Sequence, residues 1–223
     1  MITVHHLNNS RSQRVLWLLE ELGVPFEIRH YQRDAVTMRA PAELAAIHPL
    51  GKSPVITDGD RVIAETGAII DYVVETYGAG RLRPPPGTDA RLRYTYWLHF
   101  AEGTLMPPLV MRLVFDRLAD APMPAEAKPV AEAIVARVRS SYVDPQNDAH
   151  FAYLESELGR STWFAGEEFT AADIQMSFPI EARGTRVGFD GTQPRLAAFL
   201  ERIAARPAYR RALERGGPYA FAR

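Results

Sequence analysis

A run of prolines and glycines at residues 79–87, AGRLRPPPG, divides the chain into two parts of different character. Its three consecutive prolines lack backbone N–H donors, so this stretch cannot form a helix interior or a central strand. Before it, strand-like and helix-like segments alternate, whereas only helical patterns follow it. We therefore predict a first domain over residues 1–80, a linker over residues 81–87 and an all-helical second domain over residues 88–223.

The first part of the sequence predicts the element order β-α-β-α-β-β-α. Short runs rich in β-branched and aromatic residues indicate strands, and apolar residues at helical spacing indicate helices. The predicted strands are residues 2–7, 25–31 and the two arms of a hairpin at 54–64, and the predicted helices are residues 11–22, 40–49 and 65–77. A β-α-β unit requires parallel strands and a hairpin requires antiparallel ones, so the predicted sheet is mixed and four-stranded.

The second part of the sequence predicts a helical bundle. We expect a bend at Pro107-Pro108 and a break at Asp144-Pro145, because proline disrupts a helix interior. Thr170 and Asp173 form a capping-box pattern, which predicts a helix start and a structural role. The helical patterns cover residues 88–119, 125–143, 147–159, 170–182, 193–207 and 208–217.

The composition restricts the possible chemistry. The chain has no cysteine, which excludes disulfides, cysteine-bound zinc and a protein thiol nucleophile, so any thiol chemistry must use sulfur from a ligand. The six histidines show no metal-binding spacing, and we expect no metal. The net charge of −1 argues against a nucleic-acid partner. We expect no membrane partner and a cytoplasmic location, because the sequence lacks a signal-peptide pattern and an apolar run of ~18 residues.

Four motifs occur in an order that is typical of one enzyme family. They are RVLWLLEELGVPFE at 14–27, HPLGKSPVI at 48–56, IAETGAIIDYV at 63–73 and WFAGEEFTAADIQMS at 163–177. They span both predicted domains, and the chain resembles the cytosolic glutathione transferases. The stretches HHLNNSRSQRVLWLLEEL and YWLHFAEGTLMPPL are similar to a bacterial and fungal, yeast-transferase-like subgroup of serine type. The resemblance implies a thioredoxin-like first domain, a homodimer, and glutathione as co-substrate without any other cofactor.

The same resemblance implies a glutathione site formed by Lys52, Ser53, Pro54, Glu65 and Thr66. Pro54 is expected to follow a cis peptide bond at the start of the third strand, which leaves the main chain of Ser53 to pair with the cysteinyl backbone of glutathione. Glu65 and Thr66 open a helix whose N-terminus suits the γ-glutamyl carboxylate. Lys52 is placed to reach the glycyl end. The alternative roles are an edge proline, a helix cap and an exposed loop lysine.

Three residues are candidates for stabilising the glutathione thiolate. A free thiol has a pKa of about 8.5, so a donor is needed to keep it ionised at neutral pH. Serine-type relatives place this donor just before the first helix, where the sequence has Ser10, Asn9 and Ser12; we favour Ser10, then Asn9. The alternative is that these residues only cap the helix. His5 and His6 are neighbours on one strand, so we expect one to be buried and one exposed, without a catalytic role.

The electrophile pocket is predicted to lie between the domains. Glu102 is predicted to reach the glutathione of a neighbouring subunit, as an acidic residue does in some relatives; a solvated surface role is the alternative. Helix 88–119 would line the pocket, although core packing is the preferred role for its apolar residues. The candidate lining residues are Trp97, Phe100, Met106 and Val110.

The sequence supports two functions. The first is an enzyme that binds glutathione, stabilises its thiolate and directs it at a small hydrophobic electrophile or a disulfide. The second is a non-catalytic protein of the same fold that binds glutathione as a ligand sink or regulatory partner. Thiolate absorbance from bound glutathione near neutral pH separates the two, since only the enzyme has to ionise the thiol.

Overall fold

The computed structural model describes residues 1–189 and 191–222. In these residues the first part of the chain has the predicted element order. The strands are β1 (Ile2–Leu7), β2 (Phe26–Tyr31), β3 (Val55–Asp58) and β4 (Arg61–Ala64). The helices are α1 (Ser12–Leu22), α2 (Glu43–Ile47), α3 (Thr66–Tyr77), α4 (Asp89–Phe100), α5 (Met106–Ala119), α6 (Lys128–Val138), α7 (Asp144–Glu157), α8 (Ala171–Arg186), α9 (Pro194–Ala204) and α10 (Pro207–Gly216).

The sheet has the strand order β2-β1-β3-β4, which confirms the prediction of a mixed sheet. β1 runs parallel to β2, with Ile2 opposite Phe26, and antiparallel to β3, with His5 opposite Val55. β3 and β4 form the predicted antiparallel hairpin. β1 is therefore an interior strand, and its C-terminal end lies close to both the segment that precedes α1 and the segment that precedes β3.

Helix α1 is buried along most of its length, because it lies between the sheet and the helices of the second part. Its side chains Val15, Leu16, Leu18 and Leu19 are fully buried. The helix ends at Gly23, which adopts a φ of 65° and donates its N–H to the carbonyls of the last turn. This left-handed conformation favours glycine.

The predicted helices around the prolines need two corrections. Residues 88–119 are interrupted by a π-helical turn at Ala101–Leu105, directly before Pro107-Pro108. The predicted break at Asp144-Pro145 is wrong, since a second π turn at Arg139–Val143 connects α6 to α7 and the proline lies in the first turn of α7. Inside a helix, a proline ring clashes with the carbonyl of the residue four positions earlier. In α5 and in α7, that carbonyl belongs to the preceding π turn, which is wider than an α-helical turn.

Two further predictions differ in detail. The helix expected over residues 40–49 is limited to the five residues of α2. His5 and His6 are both 3% exposed, so the prediction of one exposed histidine is wrong. His6 contacts Ser12 at the start of α1, while the ring of His5 lies against Tyr31 of the neighbouring strand. An interior strand can thus be covered on both faces, which alternation along the strand does not reveal.

Helix α8 connects the two parts of the molecule. It begins with the predicted capping box, in which Thr170 and Asp173 exchange side-chain and backbone hydrogen bonds. It packs against α1 and α4, and its central residues are buried. Over the described ranges, no helix combines the length and the apolar character that crossing a membrane requires.

Candidate functional site

A groove of about 220 Å³ lies where the N-termini of α1 and α3 meet the loop before β3 and the π turn after α4. It contains all six residues that were predicted to bind the ligand. The lining residues are Arg11, His48, Leu50, Lys52, Ser53, Pro54, Ala64, Glu65, Thr66 and Glu102. Residues that are far apart in the sequence therefore form one site.

The Ser53-Pro54 peptide bond is cis, as predicted. The strand ladder begins one residue later, at Val55, which pairs with both His5 and Ala64. The hydroxyl of Ser53 donates to the carbonyl of His5 at 3.0 Å, which attaches this loop to the central strand. The main chain of Ser53 therefore lies beyond the ladder and lines the groove, where an extended peptide can pair with it.

The N-terminus of α3 forms one end of the groove. Glu65 is the N-cap residue with a φ of 68° and is exposed, so the helix starts at Thr66 and not at Glu65 as expected. Thr66 is buried, and its hydroxyl accepts a hydrogen bond from Arg14 at 3.2 Å. The first turn of a helix has free N–H groups and a positive dipole end. This end of the groove therefore suits a carboxylate.

Two arginines that the sequence analysis did not identify hold the other wall of the groove. Arg14 is 1% exposed and donates to Thr66, to the carboxylate of Glu102 at 2.5 Å and to the carbonyl of Gln175 at 2.5 Å. Arg11 donates through Nε to both carboxylate oxygens of Glu102, at 3.1 and 3.0 Å. The only available signal was the pair of arginines at the start of α1, and arginines at a helix start are usually solvated.

The carboxylate of Glu102 stays ionised in this environment. Burial raises the pKa of Glu102, but the charges and hydrogen bonds of Arg14 and Arg11 outweigh burial, so that its pKa lies below the usual range. Burial lowers the pKa of Arg14, and Glu102 opposes that shift. Two cations and one anion thus carry a net positive charge beside the groove. Glu102 lines the groove, and both of its partners belong to the same chain, Arg14 on α1 and Arg11 at the N-cap of α1.

Ser10 lies at the start of α1 but does not line the groove. It is 3% exposed, and its Oγ is 2.7 Å from the Oγ of Ser12. It also accepts the backbone N–H of Ser12 at 3.2 Å. The Oγ of Ser12 in turn lies 2.8 Å from Nδ1 of His6 and accepts the N–H of Leu7 at 3.2 Å. The three side chains form a buried row from Ser10 through Ser12 to His6.

The direction of the protons along this row follows from His6. Burial, and then the charge of His30, lower the pKa of His6 to about 4, while a main-chain hydrogen bond to Gly216 opposes the shift, so the ring is neutral at pH 7. We assign the proton of the neutral ring to Nε2, which lies beside Gly216, so that Nδ1 accepts from Ser12. In this assignment Ser12 donates to His6, with the carbonyl of Leu7 as a second acceptor at 3.3 Å, and accepts from Ser10. The hydroxyl proton of Ser10 is therefore directed inward.

Asn9 connects the loop before α1 to the C-terminal segment. It has a φ of 49°, a left-handed conformation that asparagine tolerates. Its Oδ1 accepts the backbone N–H of Ala220 at 2.7 Å. Asn9 lines a separate cavity of about 110 Å³, next to His6 and His30. It therefore lies behind the start of α1 and not in the groove.

The apolar candidates for the electrophile pocket are divided between core and surface. Trp97, Phe100 and Met106 are buried members of the core, whereas Val110 is 40% exposed. None of these four lines the groove. No set of three or more histidine, aspartate or glutamate side chains suited to a metal occurs within the described part of the chain.

The fold and the groove define the class of the protein. A mixed sheet of order β2-β1-β3-β4 with a cis proline before β3 forms a thioredoxin-like domain, and a helical domain follows it. The groove at the start of two helices has donors for anions at several points. The class is therefore a two-domain protein, with a thioredoxin-like and a helical domain and a groove suited to an anionic ligand.

Known proteins similar to this chain agree with that class. Family models described as the N-terminal and C-terminal domains of glutathione S-transferase match residues 1–75 and 136–207. Glutathione S-transferase 3 of Schizosaccharomyces pombe is 37% identical over 216 residues, covering 96% of this chain and 88% of that protein. The crystal structure of a glutathione S-transferase from Actinobacillus pleuropneumoniae has a TM-score of 0.82 and 35% identity, covering 99% and 94% of the two chains. A sphingomonad glutathione S-transferase, solved in complex with glutathione, has a TM-score of 0.72 and 25% identity, covering 96% and 98%.

The chain belongs to the glutathione S-transferase family. The predicted fold, a thioredoxin-like α/β domain followed by a helical domain, is confirmed. The predicted activity, that of a glutathione transferase, is confirmed at the level of the family. These relatives do not favour the non-catalytic alternative.

Proposed function

We propose that the groove binds glutathione and that the enzyme directs the glutathione thiolate at a small electrophile or a disulfide. The observation that carries this proposal is the convergence of Ser53, Lys52 and the N-terminus of α3 in one groove. Thr66 and the free N–H groups of α3 receive the γ-glutamyl carboxylate, and Glu65 attracts the neighbouring ammonium. The main chain of Ser53, beside Pro54, pairs with the cysteinyl backbone.

The remaining parts of glutathione are assigned by their charge. Lys52 is exposed at the other end of the groove and suits the glycyl carboxylate. The thiol is then directed toward the N-terminus of α1, where Ser10 is the proposed hydroxyl donor and Asn9 the second candidate. Glu102 supports this wall through Arg11 and Arg14. Glutathione is the co-substrate, and no other cofactor takes part in this proposal.

The oligomeric state and the cellular location of the enzyme form the second part of the proposal. We propose a homodimer, because the second part of the chain exposes large apolar side chains such as Tyr96, Val114 and Ile134 on α4, α5 and α6. We also propose a cytoplasmic enzyme that removes reactive electrophiles. Sedimentation equilibrium measures the subunit number, and a monomer at micromolar concentration would contradict the dimer.

Substitution at Thr66 tests the glutathione site. Thr66→Val keeps the shape but removes the hydroxyl, and Thr66→Ser keeps the hydroxyl. We expect Thr66→Val to weaken glutathione binding about tenfold, because a hydrogen bond to a charged group contributes about 1.5–3 kcal/mol. Thr66→Ser should bind within about twofold of the wild type. Isothermal titration calorimetry measures both.

Two results decide between the proposed functions. Wild-type protein that gives no binding heat with millimolar glutathione would contradict the assignment of the groove. Binding without thiolate absorbance near neutral pH, and without turnover of chlorodinitrobenzene, would favour the ligand sink over the enzyme.

A further inference from the structure

Among the residues that the structure describes, Arg11 is the only arginine that lines the groove. Its Nε is occupied by Glu102, and its guanidinium lies 5.3 Å from the centre of the Phe178 ring. Among the residues that the structure describes, its two terminal nitrogens have no hydrogen-bond partner. Arg11 thus presents up to four N–H donors on a side chain that its neighbours already orient.

The positive charge of Arg11 is not cancelled by its ion pair. Glu102 also binds Arg14, whose buried guanidinium donates through its two terminal nitrogens to Thr66, Gln175 and Glu102, while its Nε has no hydrogen-bond partner in the described part of the chain. One carboxylate therefore serves two guanidinium groups. Of these two guanidinium groups, only that of Arg11 lines the groove, beside Lys52 and Glu65. This wall of the groove therefore attracts an anion.

The anions of glutathione can be matched with the donors of the groove. One carboxylate is assigned to the N-terminus of α3 with Thr66, and the other to Lys52. The thiolate is the remaining anion. Ser10 is a weak partner for it in the observed arrangement, because its hydroxyl proton is directed to Ser12 and its side chain does not line the groove. The remaining donor that faces the groove from α1 is Arg11.

We propose that Arg11 is a catalytic residue, whose guanidinium stabilises the glutathione thiolate more strongly than the hydroxyl of Ser10 does. This inference rests on the proposed function of the groove. Arg11 accepts no proton in the reaction; the thiol proton goes to solvent, and the cation stabilises the charge left on sulfur. The thiolate then forms a carbon–sulfur bond with chlorodinitrobenzene, and chloride leaves with the electron pair of the broken carbon–chlorine bond.

The test compares glutathione with S-methylglutathione, which has both carboxylates but no thiol to ionise. In Arg11→Gln we expect the pKa of bound glutathione, followed by ultraviolet absorbance against pH, to rise by about one unit or more. Affinity for S-methylglutathione should stay within about twofold of the wild type. Arg11→Lys keeps the charge and should restore part of the pKa shift. The kcat/KM of Arg11→Gln should recover at a pH above the raised pKa.

Two control variants separate direct contact between Arg11 and the thiolate from a general effect of positive charge on the pKa of the thiol. Arg33→Gln removes a neighbouring positive charge that lies outside the groove, and Ser10→Ala removes the competing donor. Both should raise the pKa of the bound thiol less than Arg11→Gln does. If Arg11→Gln leaves that pKa unchanged, or weakens S-methylglutathione as much as glutathione, Arg11 holds a carboxylate and the inference is wrong. Failure of the wild type to bind S-methylglutathione would instead contradict the proposed function.

Discussion

Ser10 has one hydroxyl proton, and its neighbours decide where that proton points. The distances of 2.7 Å to Ser12 and 2.8 Å from Ser12 to His6 describe a row of hydrogen bonds that ends at a neutral imidazole. A hydroxyl donates one hydrogen bond only, so donation to Ser12 competes with donation to a thiolate. Ser10, which the sequence analysis favours as the donor to the thiolate, is therefore restrained by Ser12.

Ser12→Ala tests this competition. Removing the Ser12 hydroxyl leaves Ser10 without its inward acceptor, so its proton becomes available to the thiolate of bound glutathione. We expect the pKa of the bound thiol to fall by a few tenths of a unit to about one unit, since a hydrogen bond to the charged form favours ionisation. Absorbance titration of the thiolate measures the shift.

The double variant completes the measurement. Adding Ser10→Ala to Ser12→Ala should reverse the decrease, because the released donor is then absent. A bound thiol whose pKa rises in Ser12→Ala would contradict the direction assigned to the protons. It would indicate that Ser12 and not Ser10 faces the sulfur.

At the scale of elements, Arg14 connects the helices that form the groove. It lies on α1 and binds Thr66 at the start of α3, Glu102 in the π turn and Gln175 in α8. Each of these elements contributes to the groove or supports it. The network therefore positions the N-terminus of α3 relative to that of α1, a geometry that no single helix sets.

Glu102→Gln tests the contribution of this network to stability. The folded-state pKa of Glu102 lies below the unfolded value, so its contribution is fully present above a pH of about 4.5 and is lost as pH falls through the folded pKa. At pH 7 we expect Glu102→Gln to lower the free energy of unfolding by about 2 kcal/mol, because Arg14 keeps a buried charge without its carboxylate. Urea unfolding at several pH values measures this.

The pH dependence provides the control. The difference between wild type and Glu102→Gln should become smaller as the pH falls below about 4.5, where the carboxyl is protonated in the unfolded chain. Glu75→Gln removes an exposed carboxylate paired with Arg83 and should change stability by less than about 0.5 kcal/mol. A Glu102→Gln difference that grows toward acid would contradict the assignment.

At the scale of the whole molecule, α10 attaches the end of the helical part to the first domain. Arg206 donates to both carboxylate oxygens of Glu21, at 2.5 and 2.9 Å, and lies 3.7 Å from the centre of the Phe169 ring. Arg211 and Arg215 pair with Glu20 on the same helix α1. The two parts therefore share ion pairs as well as apolar contacts, and we expect them to unfold together.

Arg206→Ala tests whether this connection stabilises the whole chain. We expect a single unfolding transition with a free energy lowered by about 2 kcal/mol, because the bidentate pair and the aromatic contact are lost together. Arg206→Lys should lose less, since the charge remains. Tryptophan fluorescence and far-ultraviolet circular dichroism should report coincident transitions.

A neighbouring arginine serves as the control for this variant. Arg210 lies in α10, is exposed, and its side chain hydrogen-bonds only to the carbonyl of Ala204 in the described structure. Its replacement by alanine should change stability by less than about 0.5 kcal/mol. Two separated transitions in Arg206→Ala would show that the two parts unfold independently once this pair is removed.

Local chemistry explains why so much of the fold and the ligand groove was predictable. The prolines of the linker, the turn at Gly59 and the capping box at Thr170 act through their immediate neighbours, and each marks an element boundary. Pro54 and the pair Glu65-Thr66 were assigned to the groove through the family resemblance of the motifs that contain them. Their local chemistry alone left an edge proline and a helix cap as alternatives.

The wall of the groove that Arg11, Arg14 and Glu102 support depends on contacts between residues that are far apart in the sequence. Arg14 is 88 positions from Glu102 and 161 positions from Gln175, and Arg11 is 91 positions from Glu102. The packing of α8 on α1 brings these groups together and buries them. Burial and neighbouring charge set protonation states and the direction of hydroxyl protons, and both quantities exist only once distant segments are in contact.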